Sequence, residues 1–169
     1  TPDATFWQPD GEVRALAWSD DSSKLVVGGN FTQVKSPDGT MTQSATNLTV
    51  LDATTGQPIA GYPAVTGEID DISVVGDTVY VVGGVTQAGG MARTRAFAFS
   101  LSSKTVSAWA PTFAGTTPFL PNVRLVRATP TAIFVGGYFT SAGGAARTNV
   151  AALDPTTGTA TAWAPPALG

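Results

Sequence analysis

The sequence contains no cysteine and no histidine. Without cysteine the chain can form no disulfide, thiolate nucleophile or cysteine-ligated metal site. Without histidine it lacks the commonest general base and the commonest transition-metal ligand. Acidic residues number 12 and basic residues 9, which gives a net charge of −3 with no basic stripe. We therefore expect no cofactor, no metal site and no nucleic-acid partner.

Long apolar runs are also missing. The longest are short segments such as "LVV" at 25–27 and "VYVV" at 79–82, far below the ~20 residues that cross a bilayer, so no membrane insertion is predicted. The chain has 169 residues, 43% of them apolar and 12% charged, which is typical of a globular domain with a sizeable core. Abundant Thr, Ala, Gly and Ser with scarce Lys and Glu favour a secreted bacterial protein, located outside the cell or on its surface.

A glycine pair recurs three times, at spacings of 55 and 53 residues. The copies are "KLVVGGNFT" with Gly28 and Gly29, "TVYVVGGVT" with Gly83 and Gly84, and "AIFVGGYFT" with Gly136 and Gly137. Downstream the copies agree again, as "NLTVLDATTGQPIAGYP", "RAFAFSLSSKTVSAWAP" and "NVAALDPTTGTATAWAP". In this alignment Asp52 matches Asp154, Trp109 matches Trp163, and Tyr62 takes the place of the tryptophan in the first copy. A repeat of this length must be interpreted before any single motif.

Each copy contains four short apolar segments separated by turn signals, and no segment has a 3.6-residue period. The "D-x-T-T-G" turns at 52–56 and 154–158 suit hairpins whose glycine takes positive φ. Repeats of about 50 residues with four strands predict β-propeller blades. We therefore predict an all-β chain, one propeller segment over 1–169, with blades at 12–66, 67–118 and 119–169.

The order of parts within a copy resembles the kelch repeat: an aliphatic run ending in Gly-Gly, a strand ending in an acidic turn, then Trp and Pro. "VGGYFTSAGG" with "ALDPTTGTATAWAP" is also similar to the GG-x-F-T repeats of uncharacterised secreted bacterial propellers. The resemblance covers nearly the whole chain and implies a propeller fold. It implies little about function, because propellers serve as enzymes, lectins and scaffolds alike.

Three blades are too few to close a propeller ring. The opening "ATFWQPDG" resembles the outer-strand ending "SAWAPTF", so residues 1–11, with Trp7, are predicted to form the outer strand of a preceding blade. An open arc would expose strand edges and apolar flanks. We therefore expect the chain to belong to a longer propeller, or to associate with itself or another fragment to close a ring.

Two departures from the repeat are expected to change the blades locally. The first copy has "VKSPDGTMTQSAT" where the third has "SAGGAART", which predicts a longer loop at 35–46. The second copy is one residue shorter after Gly84, so the aromatic residue seen at Phe31 and Phe139 should be missing there. The longer loop is one place where a ligand is expected.

The glycine pairs could suggest a phosphate-binding loop, but neither a helix nor a lysine follows them, as such loops require. A structural role is favoured, with glycine allowing neighbouring blades to approach closely. Trp7, Trp109 and Trp163 could stack on sugar rings, yet their repeated position favours packing between blades. Trp18 has no aromatic counterpart in the other copies and is a candidate ligand contact.

Asp70 and Asp71, with Glu68, precede the second blade. The propeller topology predicts that they share a face with the loops carrying Arg93 and Arg147, where opposite charges could hold a metal, a sugar or a peptide. The alternative is that these arginines only tie their own loops, since "ART" recurs at 92–94 and 146–148. That alternative is favoured.

The composition and repeats predict a non-catalytic extracellular module that binds or scaffolds a protein or glycan partner. Trp18, Asp70, Asp71, Arg93 and Arg147 are the candidate ligand contacts. One alternative is a carbohydrate-binding, lectin-like module. Another is a fragment of a propeller glycoside hydrolase or lyase, which would need two carboxylates about 5 to 10 Å apart in one cleft.

Overall fold

A computed structural model describes residues 5–116 and 121–165. This part of the chain contains antiparallel strands and turns, and it holds no helix long and apolar enough to cross a membrane. The all-β prediction is confirmed.

The same six strands occur in each repeat, in the same order. Repeat 1 contains β1 (Gln8–Pro9), β2 (Glu12–Trp18), β3 (Lys24–Asn30), β4 (Gln33–Lys35), β5 (Thr42–Ser44) and β6 (Leu48–Asp52). Repeat 2 contains β7 (Val65–Thr66), β8 (Ile69–Val75), β9 (Thr78–Gly83), β10 (Gln87–Ala88), β11 (Met91–Ala92) and β12 (Ala96–Ser100). Repeat 3 contains β13 (Phe113–Ala114), β14 (Asn122–Ala128), β15 (Ile133–Tyr138), β16 (Ser141–Ala142), β17 (Ala145–Ala146) and β18 (Val150–Leu153).

Each repeat builds one large and one small sheet. The large sheets have the strand orders β2-β3-β6, β8-β9-β12 and β14-β15-β18. The predicted fourth strand is reduced to a single bridge in each blade: Leu51 with Pro58, Phe99 with Val106, and Leu153 with Ala160. First strands of successive repeats contact one another, β2 with β8 and β8 with β14. The chain forms an arc of three propeller blades.

The small sheets show where one repeat passes into the next. Strands β1, β7 and β13 pair with β4, β10 and β16, so each belongs by pairing to the repeat that it precedes. By strand pairing, repeats 2 and 3 therefore begin a few residues before the predicted limits at 66/67 and 118/119. The predicted loop at 35–46 is mostly a β-hairpin, because β4 pairs with β5.

The hydrophobic core lies between the blades. One buried cluster joins Val26 and Val50 of repeat 1 to Ile69 and Ile72 of repeat 2, and a second joins repeat 2 to repeat 3 in the same way. Trp109 belongs to the second cluster. Its ring packs edge-on against Tyr80 at 5.1 Å between ring centres, and its Nε1 donates to the Asp154 carbonyl of the next repeat at 3.0 Å.

The pairing register corrects the alignment of the glycine pairs. Gly28 pairs with Leu48 and Gly136 with Val150, but it is Val82 that pairs with Ala96. Gly83 is therefore equivalent to the second glycine of the other copies, and Gly84 lies one position further on. The Val85 carbonyl accepts a hydrogen bond from the Arg95 N–H. The Phe31 and Phe139 carbonyls accept in the same way from the N–H groups of Asn47 and Asn149. Val85 is therefore equivalent to the two phenylalanines, and repeat 2 lacks no residue after its glycines. Valine fills the aromatic position.

The acidic turns form as the sequence predicts. Asp52 Oδ1 accepts from the backbone N–H groups of Thr54 and Thr55, and Asp154 Oδ1 repeats this with Thr156 and Thr157. These backbone hydrogen bonds lower the pKa of both aspartates. The turn glycines Gly56 and Gly158 have φ of 69° and 74°, a region that side chains disfavour.

Candidate functional site

The first strands of the three blades carry charged side chains into a shared cleft. Each first strand contains a β-bulge, and the residue outside the paired register is Arg14, Asp70 or Arg124. A bulge redirects the side chain of its extra residue. These three side chains line one cleft together with Glu12 and Glu68.

Arg14 joins three carboxylates in this cleft. Its Nη2 lies 2.9 Å from Glu12, and its Nη1 lies 2.8 Å from Glu68 and 2.9 Å from Asp70. The hydrogen bonds to Glu12 and Asp70 raise the pKa of Arg14 above its usual range. Arg124 lines the same cleft and forms no ion pair with any described residue. The cleft therefore links repeats 1 and 2 electrostatically, and within residues 5–116 and 121–165 the Arg124 guanidinium has no carboxylate partner.

Asp71 contacts the other neighbouring repeat. Its Oδ2 accepts from the Val126 N–H at 2.9 Å and from the Arg127 guanidinium, and its Oδ1 accepts from the Ile72 N–H. Asp70 thus binds repeat 1 while Asp71 binds repeat 3. The two adjacent carboxylates do not face a common site.

Arg93 and Arg147 make matching contacts within their own repeats. Nη1 donates to the preceding carbonyl, of Ala92 or Ala146, at 2.8 Å in both. Nη2 donates to the backbone carbonyl of Ser107 at 2.9 Å in repeat 2 and to that of Thr161 at 2.7 Å in repeat 3. Nε of each arginine is buried and has no hydrogen-bond partner in the described part of the chain. These contacts tie the loop after the second strand to the outer edge of the blade.

Trp18 lies at the opposite end of β2 from the bulge, and the residue is 51% exposed. It forms a row with Val13 and Leu16, which are also exposed. We call these three side chains, with Leu25 on β3, the leading face. In repeat 2, Ile69 and Ile72 hold the positions of Val13 and Leu16. Both are buried against repeat 1. Trp18 therefore occupies a position that the preceding blade covers in the other repeats.

Repeat 3 exposes the complementary side of a blade. Trp163 packs edge-on against Phe134 at 5.3 Å between ring centres, as Trp109 packs against Tyr80. Yet Trp163 is 43% exposed and Trp109 only 2%, because a following blade covers only the latter. Leu125 is also exposed. We call Leu125, Phe134, Gly136 and Trp163 the trailing face.

The five candidate contacts from the sequence are thus distributed over several places. Asp70 lies in the charged cleft, Asp71 at the junction of repeats 2 and 3, and Trp18 on the leading face. Arg93 and Arg147 lie at the outer edges of repeats 2 and 3. Their roles in ligand binding stay predictions.

Sequence reasoning did not single out the arginines that complete the charged contacts. Arg14 and Arg124 occupy the register position of Asp70, at spacings of 56 and 54 residues. A charge at the same position of all three first strands was the available signal. Trp7 donates its backbone N–H to the Gly56 carbonyl at 3.0 Å, beside the first acidic turn.

Within residues 5–116 and 121–165 no three acidic side chains converge in a way that could hold a metal ion. No protein-family model matches the chain, and no curated protein matches it. Among solved structures, the WD40 domain of Pan2 from Neurospora crassa matches with 16% identity and a TM-score of 0.39, over 94% of this chain and 55% of that one. The chain spans about half the length of that structure.

Proposed function

We propose that the chain is a non-catalytic, extracellular segment of a kelch-like β-propeller that binds or scaffolds other proteins, and that its two end faces dock onto further blades of the same kind. One observation supports the proposed docking of the end faces. Leu16 on the leading face is 61% exposed, whereas its equivalents Ile72 and Val126 are 4% and 0% exposed between blades. Burying such side chains stabilises the contact by about 1.5 to 3 kcal/mol each.

The two faces are complementary because the chain already contains their contact twice. The trailing side of repeat 1 packs on the leading side of repeat 2, and repeat 2 packs on repeat 3 likewise. A second copy can therefore place its leading face on the trailing face of the first. Such a head-to-tail contact uses two different surfaces.

Two single-face variants test this arrangement by sedimentation velocity over a range of concentrations. Leu16→Asp disrupts the leading face and Leu125→Asp the trailing face. We expect the parent chain to self-associate, each variant alone to be monomeric, and an equimolar mixture to form 1:1 dimers, because one intact interface remains. Thr105→Asp, at an exposed residue that belongs to neither face, serves as the control. A parent chain that stays monomeric at high concentration, or a mixture that stays monomeric, would contradict docking through these faces.

The charged cleft bears on the proposal that the chain is not an enzyme. Glu68 and Asp70 are close enough for a glycosidase pair, but both carboxylates bind the same Arg14 nitrogen. This shared contact with Arg14 favours a structural role for the two carboxylates over a catalytic one. Hydrolysis of a panel of polysaccharides and aryl glycosides that is lost in Glu68→Gln would overturn this part of the proposal.

Trp18 favours blade packing over a lectin role. A sugar site combines an aromatic platform with polar groups that fix the ligand, whereas Trp18 shares its row with Val13 and Leu16. Binding on a broad glycan array that disappears in Trp18→Ala would support the lectin alternative instead.

A further inference from the structure

The blades differ in how they fill the groove between the loop after the second strand and the outer edge. In repeats 2 and 3 an arginine side chain occupies it, Arg93 or Arg147. Each guanidinium lies between two backbone carbonyls, one from the loop and one from the outer edge. The fold therefore builds the same arginine-binding groove in repeats 2 and 3.

The hydrogen-bond register identifies the equivalent residue in repeat 1. The backbone N–H of Arg93 donates to the Thr86 carbonyl at 2.9 Å, and the backbone N–H of Arg147 donates to the Thr140 carbonyl at 3.1 Å. In repeat 1 the corresponding bond runs from Ala45 N–H to Thr32, at 3.0 Å. Alanine thus stands where the other blades have arginine.

The outer edge shows the same equivalence. In repeat 1 the Ile59 N–H donates to the Val50 carbonyl. The equivalent bonds in repeats 2 and 3 run from the Ser107 N–H to the Ala98 carbonyl and from the Thr161 N–H to the Ala152 carbonyl. The carbonyl of Ile59 therefore holds the place of the acceptors that bind Arg93 and Arg147. The Ser44 carbonyl likewise holds the place of the loop acceptors.

A cavity occupies the groove of repeat 1. Its volume is about 100 Å³, several times the ~10 to 15 Å³ that one water needs. Its walls include the residues named above, Ser44, Ala45 and Ile59, together with Thr46, Gly61 and Tyr62. Ser44, Thr46 and Gly61 are exposed at its rim, so a side chain can enter from solvent.

We propose that this cavity binds the guanidinium of an arginine side chain presented by a partner protein. Two carbonyls placed to accept from one planar guanidinium suit arginine better than the rounder lysine ammonium. The Ala60 carbonyl at the rim is not one of these acceptors, because Lys104 Nζ already donates to it at 2.7 Å. The site deepens the proposed binding role but shares no residue with the two end faces.

NMR titration of the whole chain with N-acetyl-arginine amide tests the site. Two charge-assisted hydrogen bonds give an expected dissociation constant of about 1 mM. We expect saturable shifts at the amides of Ala45, Thr46 and Gly61, with little change at Arg147 and Thr161. N-acetyl-citrulline amide has the same shape without the charge and should cause at least tenfold weaker shifts.

Two variants make the test specific. Ala45→Arg places a guanidinium in the cavity and should abolish the response, whereas Arg147→Ala opens the same groove in repeat 3 and should add a second set of shifts near Thr161. Equal responses to the arginine and citrulline probes, an unchanged response in Ala45→Arg, or no response in the parent chain would each overturn the proposal. Leu16→Asp should retain the response, which separates this site from failure of the end-face docking.

Discussion

At the residue scale, Asn47 connects two blades through its side chain. Its Oδ1 accepts from the Phe31 N–H, and its Nδ2 donates to the carbonyls of Val65 and Gly67 in the next repeat. Its φ is 62°, in the left-handed region that asparagine tolerates better than most residues. Asn149 has the same backbone conformation, with φ of 64°, but is exposed.

Asn47→Ala should destabilise the fold by about 2 to 4 kcal/mol, because it leaves buried backbone groups without partners and places alanine at positive φ. Asn149→Ala is the matched control, since it carries mainly the backbone cost of about 1 kcal/mol. Chemical denaturation of both variants measures the difference. Equal losses would show that the side-chain hydrogen bonds of Asn47 contribute nothing.

Arg95 holds the same position in repeat 2, with φ of 67°. Arginine rarely adopts this conformation. Arg95→Asn should raise the melting temperature by a few degrees, because asparagine relieves the backbone and can donate to the carbonyls that correspond to those Asn47 binds. Differential scanning calorimetry checks this, with Arg95→Gln as the control that lacks the short amide. A fall in melting temperature for Arg95→Asn would contradict the equivalence of the three positions.

At the element scale, one glycine of each second strand makes the bulge in the first strand possible. A Cβ on Gly29 would lie 2.0 Å from the Glu12 carbonyl oxygen, on Gly83 2.4 Å from that of Glu68, and on Gly137 2.1 Å from that of Asn122. Any side chain would push the bulged strand away. The bulge places the charged residue of each first strand in the cleft, so the glycine also determines the cleft.

The two glycines of repeat 3 provide a matched pair of variants. Gly137→Ala should destabilise by about 2 to 3 kcal/mol through overpacking. Gly136→Ala should change the monomer's stability by less than about 1 kcal/mol, because the nearest atom to its Cβ, in Leu125, would be 3.6 Å away. Denaturant titrations at a concentration where the chain is monomeric compare them. Similar losses in both variants would contradict the assigned register.

At the scale of the whole molecule, aspartates close several turns and strand junctions. Asp10 accepts from the Thr32 N–H, the Gln33 N–H and the Thr32 hydroxyl, which lower its pKa to about 2. Hydrogen bonds from Ser36 and from Thr40 lower the pKa of Asp38 to about 2 as well. The usual value is 3.8.

These shifts predict that acid destabilises the fold. Because the folded-state pKa values lie below the unfolded value, both aspartates contribute stability above about pH 4, and that contribution is lost as the pH falls towards 2. Melting temperatures measured from pH 5 to pH 2 should therefore fall steeply below pH 4. Asp10→Asn should lower the melting temperature at pH 5 and flatten the slope below pH 4. A variant that keeps the slope of the parent chain would contradict the role of Asp10.

The sequence by itself determined the all-β class, the three repeats and the acidic turns. These follow from local patterns: short apolar runs, glycine at positive φ in "TTG", and a recurrence of about 50 residues. The buried position of Trp109 was likewise expected from its place in the repeat.

Only the tertiary structure decided which glycine of each pair opposes the bulge and which charges meet. In "VVGG" a shift by one residue leaves the local pattern nearly unchanged, so Val82 takes the place of a glycine only through its pairing with Ala96. The contacts of Arg14 with Asp70, and the empty groove beside Ala45, depend on strands that lie far apart in the chain. Local sequence carries no information on such distances, because side chains from separate repeats meet only after the blades have packed.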